Sequence, residues 1–429
     1  MIEPKQILSD SISPSYKVTG NLLNRTKGDK VIWAIVILLT MVSILVVYSS
    51  IGSLAYRMNK STESYLFRQV GYICLGVLII YFAHRVNYTI YSRVASILFI
   101  ISIPLLLYTL KYGSHINDAS RWIKLPVINL TFQTSDLAKL ALFMYLSRLL
   151  SRRQNVIKDF KKGFVPLIIP VAVICLLIAP ANLSTSLLIG GTALMLMFIG
   201  RVRSRHILMV IGAALIPIII LVSVATHYYN QEEHTSEDLP AVLSIGRIPT
   251  WVKRVQDFMY ADKADASYQI QQAKIAIATG GIFGKGPGKS EQRNFLPHPY
   301  SDFIYAIIIE EYGLAGGTII LLIYLLFLFR SIRLFQRCPY AFGAFLAVAL
   351  SFTLVIQALV NMAVNVNLFP TTGVTLPLVS MGGSSLLFTC FSIGIILSVA
   401  RNVEQAEGRS AVPATQQTEE KVETNEKEA

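Results

Sequence analysis

LPHPYSDFIYAIIIEEYGLAGGTIILLIYLLFLFR, residues 296–330, opens on prolines and polar side chains and then turns apolar almost to its end at Arg330. Its apolar part, 303–329, exceeds the roughly 20 residues an α-helix needs to cross a bilayer. Asp302 stands where the chain would enter that bilayer. A carboxylate at such a depth is costly unless it is paired, hydrated or used.

The same alternation runs outward in both directions. Charge-poor runs near 31–50, 65–83, 92–111, 133–150, 164–181, 183–200, 206–224, 341–363 and 384–400 are separated by short basic clusters. Together with 303–329 they predict an all-α, polytopic membrane protein of about ten transmembrane helices. A large loop, 225–302, separates the seventh span from the eighth. The fourth run is the weakest, because it begins with Asp136 and Lys139. Composition agrees, with 53% hydrophobic and only 15% charged residues; soluble domains carry about 25% charged. No processing site precedes the first span, so no cleavable signal is expected.

The basic residues set an orientation. Lys5, Lys17, Arg25, Lys27 and Lys30 precede the first span, and Arg148, Arg152, Arg153, Lys158, Lys161 and Lys162 follow the fourth. Arg201, Arg203 and Arg205 follow the sixth, and Arg330, Arg333 and Arg337 the eighth. All share one side if the N-terminus is cytoplasmic, and an even number of spans returns the C-terminus there. The net charge of +13 is then a topology signal. A nucleic-acid partner is not expected, since the basic residues are scattered over short loops rather than gathered on one domain. Cys74, Cys175 and Cys390 lie in apolar runs and Cys338 on the cytoplasmic side, which leaves no disulfide framework.

The expected organisation is a cytoplasmic N-terminal segment (1–30), a membrane domain (31–401) and a disordered cytoplasmic tail (402–429) too polar to bury a core. Segments 112–132, 225–302 and 364–383 break the membrane pattern and fall on the outer side. Within the longest, Val242–Tyr260 is amphipathic, with Trp251, Val255, Phe258 and Met259 spaced to face a membrane surface or the bundle. Tyr268–Ala278 is a second helical candidate.

Four constellations could carry chemistry. GKGPGKS, Gly284–Ser290, fails as a nucleotide P-loop, because the first glycine of that motif would fall at Phe283. Its backbone amides could instead cradle a lipid pyrophosphate, with Lys285 and Lys289 adding charge; a plain turn is the alternative. At the start of the fourth span Asp136 and Lys139 are three residues apart and share a face. They form either a structural pair or a lysine presented to an anion. Asp302 is either an N-cap or a working acid, and Glu310 and Glu311 follow about 12 Å further along at helical rise. Asn361–Ser385 carries no charge, and its prolines, hydroxyls and glycines read as a re-entrant segment lining a wet cavity.

Arg121-Trp122, FQTSDLAKL, GGIFGKGPGKS, LPHPYSDFIYAIIIEEYGLAGG and FPTTGVTLPLVSMGGSSLL occur in this order on the expected spans. In this the chain resembles the SEDS family (shape, elongation, division and sporulation), from about Val31 to Arg401. The resemblance implies a peptidoglycan glycosyltransferase that polymerises lipid II, with inverting transfer from an undecaprenyl-pyrophosphoryl donor, at the outer face of the cytoplasmic (inner) membrane. It implies work with a class B penicillin-binding protein transpeptidase and other divisome proteins among membrane lipids. The long termini and PLVSMGGSS lean toward an FtsW-like septal role; a RodA-like elongation polymerase and a lipid II flippase are the alternatives.

The family's essential acid aligns with Asp302, the implied general base. Expected substrate contacts are Lys139, Asp136, Arg121, Trp122, Lys285, Gly286, Ser380, Gly382, Gly383 and Ser384. Lys139, Arg121 and Lys285 are the candidates to offset leaving-group charge. No spacing of His, Cys and Asp marks a tight metal site, so a divalent cation (Mg2+ or Mn2+) is left open. The chain departs from the family pattern at Thr134, Asp136 and Asn182, and at His298, Tyr300 and Ser301 beside the acid.

Overall fold

The computed structural model describes residues 28–52, 61–116, 119–125, 130–230, 235–236, 240, 247–260 and 268–410. Each of the ten apolar runs is helical: α1 (Lys30–Ser50), α2 (Thr62–Arg85), α3 (Tyr88–Tyr112), α4 (Thr134–Arg152), α5 (Val165–Ile178), α6 (Leu183–Ile199), α7 (Ser204–His227), α10 (Ile304–Arg337), α11 (Ala341–Asn365) and α12 (Ser384–Ser410). Between α7 and α10 lie α8 (Ile248–Met259) and α9 (Tyr268–Gly280). Among the described residues, eight helices are long and apolar enough to cross a membrane, and α6 is apolar but shorter. Helix α4 falls outside that set because Asp136, Lys139, Arg148 and Arg152 dilute it.

Side-chain caps start several helices. Asp29 accepts from Val31 N at 2.9 Å at the head of α1, and Asn87 from Thr89 N at 3.1 Å at α3. Asn182, where the family carries an acid, accepts from Thr185 N at 3.3 Å and caps α6. Such an oxygen satisfies one of the amides a helix leaves open.

Helices α4, α10, α11 and α12 supply the interior. Phe143, Leu142 and Leu146 of α4 are wholly buried, as are Leu346, Val355 and Ala358 of α11. On α7, by contrast, Leu208, Ile216, Ile219 and Ile220 are all exposed. Large apolar side chains exposed along whole helix faces are untenable in water and fit a lipid-facing perimeter, so the chain is a multi-pass membrane protein.

Four details differ from expectation. Segment 112–132 forms an antiparallel hairpin sheet, β1 (Ser114–Ile116), β2 (Ala119–Leu125) and β3 (Leu130–Gln133), in which Trp122 pairs with Gln133 and β3 runs directly into α4. A short pair, β4 (Tyr229–Asn230) with β5 (Thr235–Ser236), follows α7. Helix α12 continues through Ser410, nine residues into the stretch expected as a tail, and 411–429 lie outside the described residues. The amphipathic helix begins at Ile248, with Pro249 in its first turn, and 242–246 also lie outside.

Candidate active site

Asp302 does not cap α10. The helix begins at Ile304, its N-cap position is Phe303, and no side-chain capping bond is made there. What α11 holds is the backbone of Asp302. Its carbonyl accepts from Asn361 Nδ2 at 3.0 Å and Asn365 Nδ2 at 2.9 Å, while Asn365 Oδ1 accepts from Ala306 N at 3.0 Å. Both asparagines are buried. From the other side, Ser380 Oγ donates to the Ser301 carbonyl at 2.7 Å and Met381 N to the Tyr300 carbonyl at 3.0 Å. The backbone is thus fixed on two flanks, and the carboxyl group receives Ser301 Oγ at 2.6 Å.

That carboxyl borders a cavity of about 260 Å³. Trp122, Asp136, Lys139 and Gly382 of the expected contacts line it too, with Asn182, Gln357 and His298. Arg247 and Arg254, which no motif in the sequence marks, also line it. Gln133 at the junction of β3 and α4, the cap of α6, the strap before α10 and the re-entrant segment all meet here. Lys139 Nζ lies 3.4 Å from Asp136 Oδ1 and 3.0 Å from Gln357 Oε1, so the structural pair exists and lines the cavity at once. Asp136 is 4% exposed, and its Oδ2 has no hydrogen-bond partner among the described residues. A buried acceptor without a donor costs about 1–3 kcal/mol.

Arg247 is the N-cap of α8 and Arg254 lies within it. Arg247 Nη1 donates to the Ala181 carbonyl at 2.6 Å, and Arg254 Nη1 approaches the Thr372 carbonyl at 3.5 Å. Burial and neighbouring Arg247 pull the Arg254 guanidinium below its usual range, while Asp302 and Asp257 oppose the shift. Two cations held close together and partly dehydrated favour an anion between them. Of the two faces expected for it, the apolar stripe of α8 is turned to the bundle: Trp251, Val255, Phe258 and Met259 line a groove of about 710 Å³ with α6 and α7. Asn182, Leu188, Arg247 and Arg254 belong to both groove and cavity, so the two are contiguous.

Other expected contacts lie elsewhere. Lys285 and Gly286 do not line the cavity. Their amides donate to the carbonyls of Glu310 and Glu311, each at 2.9 Å, which removes them from any phosphate cradle. Lys285 Nζ is engaged by Glu310 Oε1 at 3.0 Å and Glu291 Oε2 at 3.5 Å. This close docking explains the glycines. Gly284 has φ +80°, and a Cβ there would meet the Glu311 carbonyl oxygen at 2.2 Å. Gly313 interrupts α10 with φ +72°, against the Ile282 carbonyl. Of the two wholly buried acids, Glu310 serves this loop, taking Ser290 Oγ and the amides of Glu291 and Gln292, while Glu311 takes Ser49 Oγ of α1.

Ser380 is occupied in the brace of Ser301, and Ser384 Oγ accepts from Gln133 N at 3.2 Å. Both hold the walls rather than line the cavity. Gly383, at φ +53°, forms the turn into α12. The Arg121 side chain lies outside the described residues. Among the described residues no three His, Cys, Asp or Glu side chains converge as metal ligands. The two acids in the cavity are Asp302 and Asp136, the latter paired with Lys139 through Oδ1.

A rigidly braced acid, a cationic pocket and an adjoining apolar groove in a helical bundle define a polytopic membrane protein built around an amphiphile-sized site. Comparison with known proteins narrows this. The FtsW/RodA/SpoVE family, described as "Cell cycle protein", matches residues 29–405. A probable peptidoglycan glycosyltransferase FtsW of Geobacter sp. (strain M18) is 33% identical over 391 residues, covering 90% of this chain and 100% of that protein. Stage V sporulation protein E of Bacillus subtilis is 31% identical over 385 residues, covering 88% and 98%.

Among solved structures, one chain comes from work on structural coordination of polymerization and crosslinking by a peptidoglycan synthase complex. It superposes with TM-score 0.67 at 24% identity, covering 88% of this chain and 99% of that one. The rod shape determining protein RodA of Thermus thermophilus gives TM-score 0.59 at 23% identity, covering 86% and 96%. The chain belongs to the FtsW/RodA/SpoVE (SEDS) family.

Proposed function

We propose that this chain polymerises lipid II into glycan strands, with Asp302 as general base. The observation that carries the reading is the meeting, in one cavity, of the Asp302 carboxyl with Arg247, Arg254 and Lys139, beside an apolar groove. A lipid-linked sugar pyrophosphate requires that combination: cations for the phosphates, apolar walls for the polyprenyl chain, and a base for the hydroxyl it transfers to.

This reading implies the following steps. Asp302 takes the proton of the acceptor's 4-hydroxyl; the oxygen attacks C1 of the donor glycan from the face opposite the phosphate, inverting it. The C1–O bond breaks, and undecaprenyl pyrophosphate leaves with the electron pair. Arg247 and Arg254 offset the charge that develops, in the manner of preorganised donors. Arg254 and Arg247 take the place expected of Lys285, while Lys139 stands behind, oriented by Asp136 and Gln357.

A flippase would need no braced carboxylate beside its cations, and transporters more often show repeats around a midplane site. We place the site on the outer side of the inner membrane, both termini in the cytoplasm and the partner as a class B transpeptidase, from the basic loops and the family. The septal, FtsW-like role rests on the relatives' names; depletion giving filaments supports it, and round cells would assign elongation.

Purified protein with its partner and labelled lipid II tests the chemistry. A general base contributes about 10²–10⁴-fold, so Asp302→Ala should lose polymerisation by that factor while folding normally. Undiminished glycan synthesis by Asp302→Ala would end the assignment.

A further inference from the structure

Asp302 borders a second polar cavity, of about 280 Å³, which Lys139 does not line. Arg254, Gly373 and Val374 line both cavities, so this cation and a turn of the re-entrant segment form the partition on which the acid stands. The two sides differ by one charge. In the first, Lys139, Arg247 and Arg254 outnumber Asp136 and Asp302, and Asp136 is already tied to Lys139. In the second, Lys253 and Arg254 are matched by Asp257 and Asp302, and Thr250 and Gln269 add neutral donors and acceptors. The first adjoins the apolar groove through Asn182, Leu188, Arg247 and Arg254; the second touches it only through Arg254, Thr371 and Thr372.

A base between two substrates must have one on each side. A cationic cavity with broad access to an apolar groove suits a pyrophosphate and its polyprenyl chain. A cavity of balanced charge, rich in paired donors and acceptors, suits hydroxyl and acetamido groups, whose hydrogen-bonding demand is two-sided and uncharged. We propose that the second cavity is the acceptor-sugar subsite, with Asp257 and Gln269 binding the terminal hexosamine and the first cavity reserved for the donor. This rests on the lipid II reading above and assigns direction to it. The acceptor O4–H proton goes to Asp302, the O4–C1 bond forms across the partition, and the pyrophosphate departs into the cationic side.

The test separates the two substrates. Lipid II capped with galactose on its terminal 4-hydroxyl, labelled on the cap, can only donate; plain lipid II serves as acceptor. With full-length protein and its partner in bilayer discs, each is titrated against a saturating amount of the other, and capped product is read after one transfer. Losing one hydrogen bond to a sugar is worth about tenfold. Asp257→Asn and Gln269→Ala should therefore each raise the acceptor KM about tenfold and the donor KM less than twofold. Arg247→Gln should do the reverse. Unchanged acceptor KM in both variants, or a larger rise in donor KM, overturns the subsite. A thermal midpoint matching wild type is required of at least one of the two, and two variants that touch different parts of the cavity make that condition attainable. If wild-type protein transfers nothing from capped lipid II, the lipid II reading itself falls and takes the subsite with it.

Discussion

Replacing Glu310 with alanine should undock the loop that runs from Gly281 to Leu296. Glu310 is wholly buried, and its carboxylate accepts from Lys285 Nζ, Ser290 Oγ, Glu291 N and Gln292 N. Alanine leaves these donors without an acceptor. Lys285, 24% exposed, can rehydrate and is discounted for solvent screening. Ser290 is only 3% exposed and Gln292 8%, so their donors cannot easily rehydrate. At about 1–3 kcal/mol for each stranded buried donor, the docked loop should lose about 3–5 kcal/mol. Each 1.4 kcal/mol is a factor of ten, so opening of the loop should become at least about 100-fold more frequent. Amide hydrogen exchange of Phe295 and Leu296, whose amides bond to the Gln292 carbonyl, reads that opening directly. Protection within threefold of wild type would falsify the view that Glu310 is the anchor. Gln at 310 should fall between, since its oxygen can keep some donors while its amide opposes others.

Three further outcomes follow from the same contacts. Burial works against the charge on Lys285, but the hydrogen bond and charge of Glu310, with Glu291, outweigh it and raise its pKa above 10.5. Because the folded value exceeds the unfolded one, this stabilisation is fully present below about pH 10.5 and is lost as pH rises through the folded value. The thermal midpoint should fall along that alkaline limb in wild type, and the limb should shrink in Glu310→Ala; identical profiles would refute the pair. Lys139→Met leaves Asp136, 4% exposed, without its cation and should cost about 3–5 kcal/mol. Adding Asp136→Leu should recover much of the loss, as seen by thermal unfolding; equal midpoints for single and double variants would refute coupling. Arg254→Gln should lower kcat by about 10²–10³ with a smaller effect on KM, the pattern of a group that acts on developing charge; a change in KM alone would make it a binding residue.

The helical architecture was legible in the sequence because lipid imposes a single rule: long apolar runs must satisfy their own backbone. All ten runs are helices, and their ends moved by only a few residues except at α10 and α12. Those two overrun because amphipathic continuations such as Arg330–Arg337 and Arg401–Ser410 need no lipid to stay helical. The sheet between α3 and α4 was not legible: its pairing is set by contacts between segments, and Arg121-Trp122 alone gives no alternation to read.

The site shows the same division for a related reason. Asp302, Asp136 and Lys139 stood out because a charge near a membrane span is expensive and therefore conspicuous. Arg247 and Arg254 did not, because on a loop helix they look like the polar face that any amphipathic helix carries. Only folding α8 against α6 and α7 turns that face toward the acid, as the shared lining of cavity and groove records. The glycine-rich loop misled in the opposite way. Its sequence advertises free amides, yet Gly284 and Gly313 are small so that two backbones can touch, and the amides of Lys285 and Gly286 are consumed by that contact. A glycine run signals close approach of something to the backbone; in this chain the something is α10. Loop and helix then act as one piece, while the asparagines of α11 and the re-entrant segment fix the backbone of Asp302 and the two arginines reach the acid from α8 and its N-cap.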